Sequence, residues 1–159
     1  MSKGTFAKLL PSKETSQKIA SMIYLLNIEN GVSERDLHIT VVYSKEECES
    51  ISTLAVNLPI RADGMGFGFY KNIDGTHCLV LHIHSNDIHN LHMDCRLEGA
   101  THDYNTFTPH ITLSYDWDMR RPMLGDNWLE YFEDMSFNQF VVEPLAIDWT
   151  PTNEQNISS

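Results

Sequence analysis

The sequence predicts an α+β fold, with two pseudo-symmetric lobes of antiparallel sheet, helices packed outside them and a cleft between. Three observations carry this. The stretches Asp36–Ser44 and Phe107–Tyr115 each place a His-x-Thr triplet inside an apolar run rich in β-branched residues, the composition of a buried strand. Two further stretches, after Pro11 and after Ser85, repeat their apolar residues at helical spacing. Between them, residues 57–84 read as two or three antiparallel strands. Each lobe is thus expected to present one motif strand, in a single domain spanning residues 1–159.

Gly4–Leu10 is a short apolar strand, punctuated by Pro11-Ser12. Ile19, Met22, Ile23 and Leu26 then mark one buried helix face, and Asn30-Gly31 is the expected stop. After the first motif strand, Ser44-Lys45-Glu46-Glu47 has the form of a capping box, predicting a helix that buries Cys48, Ile51 and Leu54. Gly64–Tyr70 alternates small and aromatic residues, and Asp74-Gly75 is a hairpin turn leading into Thr76–His84. Asn86–Gly99 is the next helix, burying Ile88, Leu91, His92 and Cys95, with Gly99 as its C-terminal stop. Trp128, Leu129 and Phe132 suggest a short helix before a last strand, Phe137–Trp149, in which Pro144 requires an edge or a bulge. The polar residues from Thr150 onward are expected to be loose.

Composition narrows the function classes. A chain of 159 residues that is 42% hydrophobic and 21% charged is that of an ordinary globular domain. With 22 acidic against 11 basic residues the formal charge is −11, which disfavours tracking a polyanionic duplex or a membrane surface and leaves small nucleotides as possible partners. Cys48, Cys78 and Cys95 are odd in number and lack metal-type spacing, so a reducing cytosol is the expected compartment. No apolar window approaches the roughly 20 residues that span a bilayer.

Alternation along a strand puts His38 and Thr40 on one face and Leu37, Ile39 and Val41 on the other; His110 and Thr112 stand likewise against Ile111 and Leu113. A neutral imidazole takes a proton from a hydroxyl and a protonated one donates to a departing alkoxide, so two of them can divide these tasks around one phosphate. On an RNA-type 3′–5′ diester one histidine would deprotonate the 2′-hydroxyl and the other protonate the 5′-oxygen, leaving a 2′,3′-cyclic phosphate for hydrolysis. Thr40 and Thr112 would bond the non-bridging oxygens. This scheme needs no metal or other cofactor.

At His38-Ile39-Thr40 and His110-Ile111-Thr112 the chain resembles the two-histidine (2H) phosphoesterase superfamily, whose signature is a pair of His-x-Thr/Ser motifs on two lobes. Over its whole length it is similar to the bacteriophage anti-CBASS nucleases of that superfamily, which destroy cyclic di- and trinucleotide signals of bacterial immunity. The opening Ser2–Phe6 and the tail Val142–Trp149 carry that likeness alongside the motifs. It implies metal-independent cleavage of 3′–5′ bonds in signals such as 3′3′-cyclic GMP-AMP, with adenine favoured, in the cytoplasm of an infected host. It also implies that Phe6, Glu143 and Trp149 hold a nucleobase, Phe6 standing where the family has a tyrosine. A carboxylate accepts from adenine's amine, and an aromatic face stacks any base for roughly 1 to 3 kcal/mol.

Other readings stay open at this level. Phe67, Phe69 and Tyr70 fit either a packed hairpin or a second base platform, with Tyr70 the candidate. His82, His84, His89 and His92 could converge on a metal, but His92 falls in an apolar helical stripe where a core histidine is the common case, so no metal is expected; His82 or His84 could instead reach a phosphate. The functional alternatives are a 2H phosphodiesterase acting on RNA 2′,3′-cyclic ends or 2′–5′ oligoadenylates, and a sponge that binds the cyclic nucleotide without cleaving it. Oligomeric state is not legible.

Overall fold

The computed structural model describes residues 3–102, 106–119 and 128–146. Its elements are β1 (Lys3–Pro11), α1 (Lys13–Leu25), β2 (Ile39–Ser44), β3 (Ile60–Lys71), β4 (His77–His84), α2 (Asn86–Leu97), β5 (His110–Ser114) and β6 (Met135–Ala146). The six strands close into one antiparallel ring in the order β1-β2-β5-β4-β3-β6. Each half of the ring is a strand, a helix and a motif strand, β1-α1-β2 and β4-α2-β5, with a third strand, β6 or β3, on the far side. The α+β expectation holds.

The two halves meet twice. At one seam Ile39 pairs with Ile111, midway along the two motifs. At the other Ile60, Arg61 and Ala62 pair with Phe137, Ser136 and Met135. Both helices start under a serine hydroxyl: Ser12 accepts from the Thr15 amide at 3.2 Å and Ser85 from the Ile88 amide at 3.3 Å. Their apolar faces, Ile19, Met22 and Ile23 on α1 and Ile88, Leu91 and Cys95 on α2, pack with Leu9, Ile39, Val41, Ile111 and Leu113 in one core. Each fully buried Ile or Leu contributes roughly 1.5 to 3 kcal/mol by leaving water, so the strand face opposite the histidines is held by the core.

Several boundaries differ from the sequence reading. The first helix ends at Leu25, ahead of Asn30-Gly31, because Asn27 takes a left-handed φ of 54° and the Ile28 amide returns to the Ile23 carbonyl at 3.1 Å. The helix expected after Ser44 is a short 3₁₀ segment, Glu49–Thr53, in which Ile51 alone is buried. The cause lies on β1: the Thr5 hydroxyl donates to the Glu46 carbonyl at 3.1 Å and accepts from the Cys48 amide at 2.8 Å, taking two groups a helical ladder would need. Ser44 still caps a turn, accepting from the Glu46 amide at 3.0 Å, and its hydroxyl also meets that of Thr101. β6 starts two residues earlier than expected, and Pro144 lies beyond Phe137, the last residue of β6 to pair with β3, so its missing N–H faces an open edge.

Candidate active site

The antiparallel register around Ile39↔Ile111 sets His38 beside Thr112 and Thr40 beside His110, all four on the face turned away from the helices. Leu37, Ile39, Val41, Ile111 and Leu113 are buried in the core, as alternation requires. His38 precedes the first residue of β2, where the chain leaves a 3₁₀ turn at Glu34–Asp36.

Both histidines are mounted in the same way. The His38 Nδ1 lies 2.8 Å from the Asp36 carbonyl, and the His110 Nδ1 lies 2.8 Å from the Thr108 carbonyl, in each case two residues back along the chain. A carbonyl only accepts, so each Nδ1 carries the proton and each Nε2 is the acceptor in the neutral ring. Burial, first, holds His38 below its ordinary value, with Lys8 adding to the effect and the Asp36 carbonyl, Asp36 and Glu143 opposing it. The Thr40 Oγ1 is buried and has no hydrogen-bond partner among the described residues. The Thr112 hydroxyl neighbours that of Tyr115, whose own ionisation burial pushes up to about 12.

Around this quartet the two halves bring different groups. Phe6 of β1 lies 5.8 Å from the His38 ring and 5.9 Å from Tyr43, centroid to centroid. It pairs across the sheet with Glu143, whose Oε1 is 3.5 Å from the Lys8 ammonium. On the other side Tyr70 lies 5.5 Å from His110 and 6.1 Å from His82, ring to ring, and His82 is the register partner of His110. The glycines of β3 make room: a Cβ on Gly68 would stand 2.3 Å from the His82 Nε2. Of the hairpin aromatics only Tyr70 shares the histidine face. Phe67 packs on Phe132 at 6.2 Å and Phe69 against Trp117 at 6.1 Å.

Of the residues singled out from sequence, His38, Thr40, His110, Thr112, Phe6, Tyr70 and Glu143 come together on this face, while Trp149 lies outside the described residues. His92 is a core histidine: its Nδ1 is 2.7 Å from the Val41 carbonyl and its ring stacks on Phe107 at 3.9 Å. Among the described residues no cluster of His, Cys, Asp and Glu is arranged to hold a metal ion. Lys8 and Tyr115 escaped the sequence reading. The alternation Phe6-Ala7-Lys8 places Lys8 on the face of Phe6 and was the available signal; the approach of Tyr115 to Thr112 had none.

Comparison with known proteins decides the family. The anti-CBASS protein Acb1 family matches residues 3–152. The chain belongs to it. Among Acb1 proteins it is 28% identical to that of Vibrio phage KVP40 over 153 residues, covering 96% of this chain and 95% of that one. It is 29% identical to the Acb1 protein of Enterobacteria phage T4 over 148 residues, covering 93% and 92%. In fold it resembles solved structures that include E. coli LigT complexed with phosphate, at a TM-score of 0.55 and 16% identity over 91% of this chain and 88% of that one, and TT0787 of Thermus thermophilus, at 0.54 and 16% over 89% and 83%. The Acb1 family and the LigT-like fold thus meet in this chain. No helix among the described residues is long and apolar enough to cross a membrane.

Proposed function

We propose that this chain is a phosphodiesterase that cleaves 3′–5′ bonds of cyclic di- and trinucleotide immune signals, 3′3′-cyclic GMP-AMP among them, in the cytoplasm of an infected bacterial host. The observation that carries the reading is the matched mounting of His38 and His110, each with Nδ1 bonded to the backbone carbonyl two residues earlier, which fixes Nε2 as the atom that exchanges the proton. One Nε2 takes the proton of the ribose 2′-hydroxyl as its oxygen bonds to phosphorus. The other gives a proton to the 5′-oxygen as the P–O5′ bond breaks, leaving a 2′,3′-cyclic phosphate. Thr40 and Thr112 donate to the non-bridging oxygens as charge develops there. Hydrolysis of the cyclic phosphate by water follows with the histidine roles exchanged.

Phe6 and Tyr70 stand on opposite sides of the quartet, where they stack the bases flanking the scissile phosphate. Glu143, beside Phe6, accepts from an adenine amine, and the family resemblance gives Trp149, outside the described residues, a part in the same base recognition. Membership of the anti-CBASS family supports the cyclic substrate; the histidine geometry supports the reaction.

The test is incubation of the purified chain with 3′3′-cyclic GMP-AMP, cyclic trinucleotides, 2′–5′ oligoadenylates and RNA ending in a 2′,3′-cyclic phosphate, with product ends identified by mass spectrometry. Linearised 3′–5′ products that form equally in excess EDTA are expected. Preferential turnover of the 2′–5′ or cyclic-ended substrates would overturn the substrate, and recovery of every ligand intact would make the protein a sponge.

A further inference from the structure

The two motif strands have matching neighbours. Lys8 is the register partner of Thr40 and Val80 that of Thr112, so Lys8 and Val80 hold corresponding places in the two halves. Val80 is fully buried. Lys8 carries a full charge: its side chain is 23% exposed, its ammonium is 3.5 Å from the Glu143 carboxylate and it sits 5.6 Å from the centre of the Phe6 ring. With Arg35, His38 and Tyr115 it lines a cavity of about 510 Å³, within the range of ligand pockets. An ammonium has three donors, and Glu143 takes one face of it.

We infer that Lys8 binds the phosphate group undergoing transfer on the His38 side of the site, and thereby makes His38 the base and His110 the acid of the first step. The inference rests on the phosphodiesterase reading of this site. A cation beside an imidazole disfavours a second positive charge, so His38 waits neutral and ready to accept; the corresponding place beside Thr112 is held by Val80, which brings no charge. In the step itself the 2′-hydroxyl proton goes to the His38 Nε2, the O2′–P bond forms and the P–O5′ bond breaks. The 5′-oxygen then takes the proton from the His110 Nε2. Lys8 meets the negative charge on the non-bridging oxygens throughout.

The groups facing His38 that titrate or carry charge are Asp36 and Arg35 from the 3₁₀ turn, Lys8 from β1, Glu143 from β6 and Tyr115 after β5. Asp36 and Glu143 pull against Lys8, and Glu143 is already ion-paired to it. Removing the Lys8 charge therefore leaves both carboxylates acting on His38 unopposed by it.

The deciding experiment is an NMR titration of the ring protons of His38 and His110 in the free protein, wild type against Lys8→Met, which keeps an unbranched stem on Phe6 and deletes the charge. The His38 midpoint is expected to rise and that of His110 to move less. In turnover, Lys8→Met should lose about 10²-fold in kcat, with a smaller change in KM and the acid limb of kcat/KM moved to higher pH. Lys8→Arg should recover most of this, which a packing role would not explain. Binding of inorganic phosphate, followed by NMR, should weaken in Lys8→Met and return in Lys8→Arg. An unmoved or lowered His38 midpoint, or unchanged phosphate binding, overturns the inference. A wild type that cleaves no cyclic nucleotide would instead sink the proposed substrate, while the titration and phosphate arms would still decide the role of Lys8.

Discussion

The half of the ring that carries His38 is charged, and the half that carries His110 is aromatic. Around His38 stand Lys8, Glu143, Asp36 and Arg35; around His110 stand Tyr70, His82 and Val80. Yet the backbone treats the two histidines alike, down to the same 2.8 Å bond from Nδ1 to the carbonyl two residues earlier. The fold supplies two equivalent imidazoles, and the neighbouring strands make them unequal. Symmetric mounting with asymmetric surroundings is how a single phosphate can be given one base and one acid.

The hardest way to break that comparison is to delete each imidazole in turn. His38→Ala and His110→Ala should each lower kcat by about 10³-fold or more, within the upper range for proton-transfer catalysis. The double variant should be little worse than either, since the two act in one step. The halves separate with an activated substrate: a diester whose leaving group is 4-nitrophenolate needs no acid, so it should restore turnover to His110→Ala and leave His38→Ala inactive. Equal rescue of both would show that the roles are not divided.

Next come the threonines. The Thr40 Oγ1 is buried without a hydrogen-bond partner among the described residues, whereas the Thr112 hydroxyl neighbours that of Tyr115. Thr40→Val keeps the shape and removes a buried group with nothing to bond. Its kcat should fall by about 10²-fold while the urea midpoint stays level or rises. Thr112→Val should lose a similar factor in kcat and cost more stability than Thr40→Val, because it takes a polar neighbour from the buried Tyr115 hydroxyl. Equal stability changes would mean that Thr40 has a structural partner too.

How much of this was legible in the chain follows from which interactions are local. Strand alternation sufficed for the quartet, because His38 and Thr40 are two residues apart and the apolar residues between them name the core face. Helical spacing sufficed for α1 and α2. The segment after Ser44 misled because its capping box is a local signal overruled from 43 residues away, where Thr5 takes the Cys48 amide. Lys8 was legible only in part: alternation puts it on the face of Phe6, but its place beside Thr40 and near Glu143 depends on the register of β1 against β2 and β6, which no window of sequence contains. The glycines of β3 were legible only as the small half of a small–aromatic alternation; that Gly68 lies against the His82 ring depends on the pairing of β3 with β4.

A smaller effect is expected from the base platforms. Phe6 touches the charged half and Tyr70 the aromatic half. Phe6→Ala and Tyr70→Ala should each weaken binding of a non-hydrolysed cyclic dinucleotide by about 1 to 3 kcal/mol, measured calorimetrically in the His110→Ala background. If Glu143 reads adenine, Phe6→Ala should cost more for an adenine ring and Tyr70→Ala should cost the same for any base. Identical losses across bases for both would remove the link between charge and base choice.

The smallest effect concerns how acid reaches the two mounts. His92 and His102 lie between α2, β2 and the segment entering β5, their rings 4.9 Å apart, and the Tyr43 amide donates to the His102 Nδ1 at 3.3 Å. Burial lowers both, His102 to about 4. In the unfolded chain each imidazole takes its proton near pH 6.5, but the folded protein resists it, so stability present above that pH is lost progressively as the pH falls toward the folded values. The urea midpoint should therefore drop between pH 7 and 4.5, and His102→Asn, which keeps an acceptor for Tyr43, should flatten the drop. The buried residues of α1 include no histidine, so the strain falls on one side. His92 stacks on Phe107, three residues before His110. Amides around 106–110 should accordingly lose hydrogen-exchange protection in acid before those around 36–40, and simultaneous loss at both mounts would show that the cluster does not distinguish the halves.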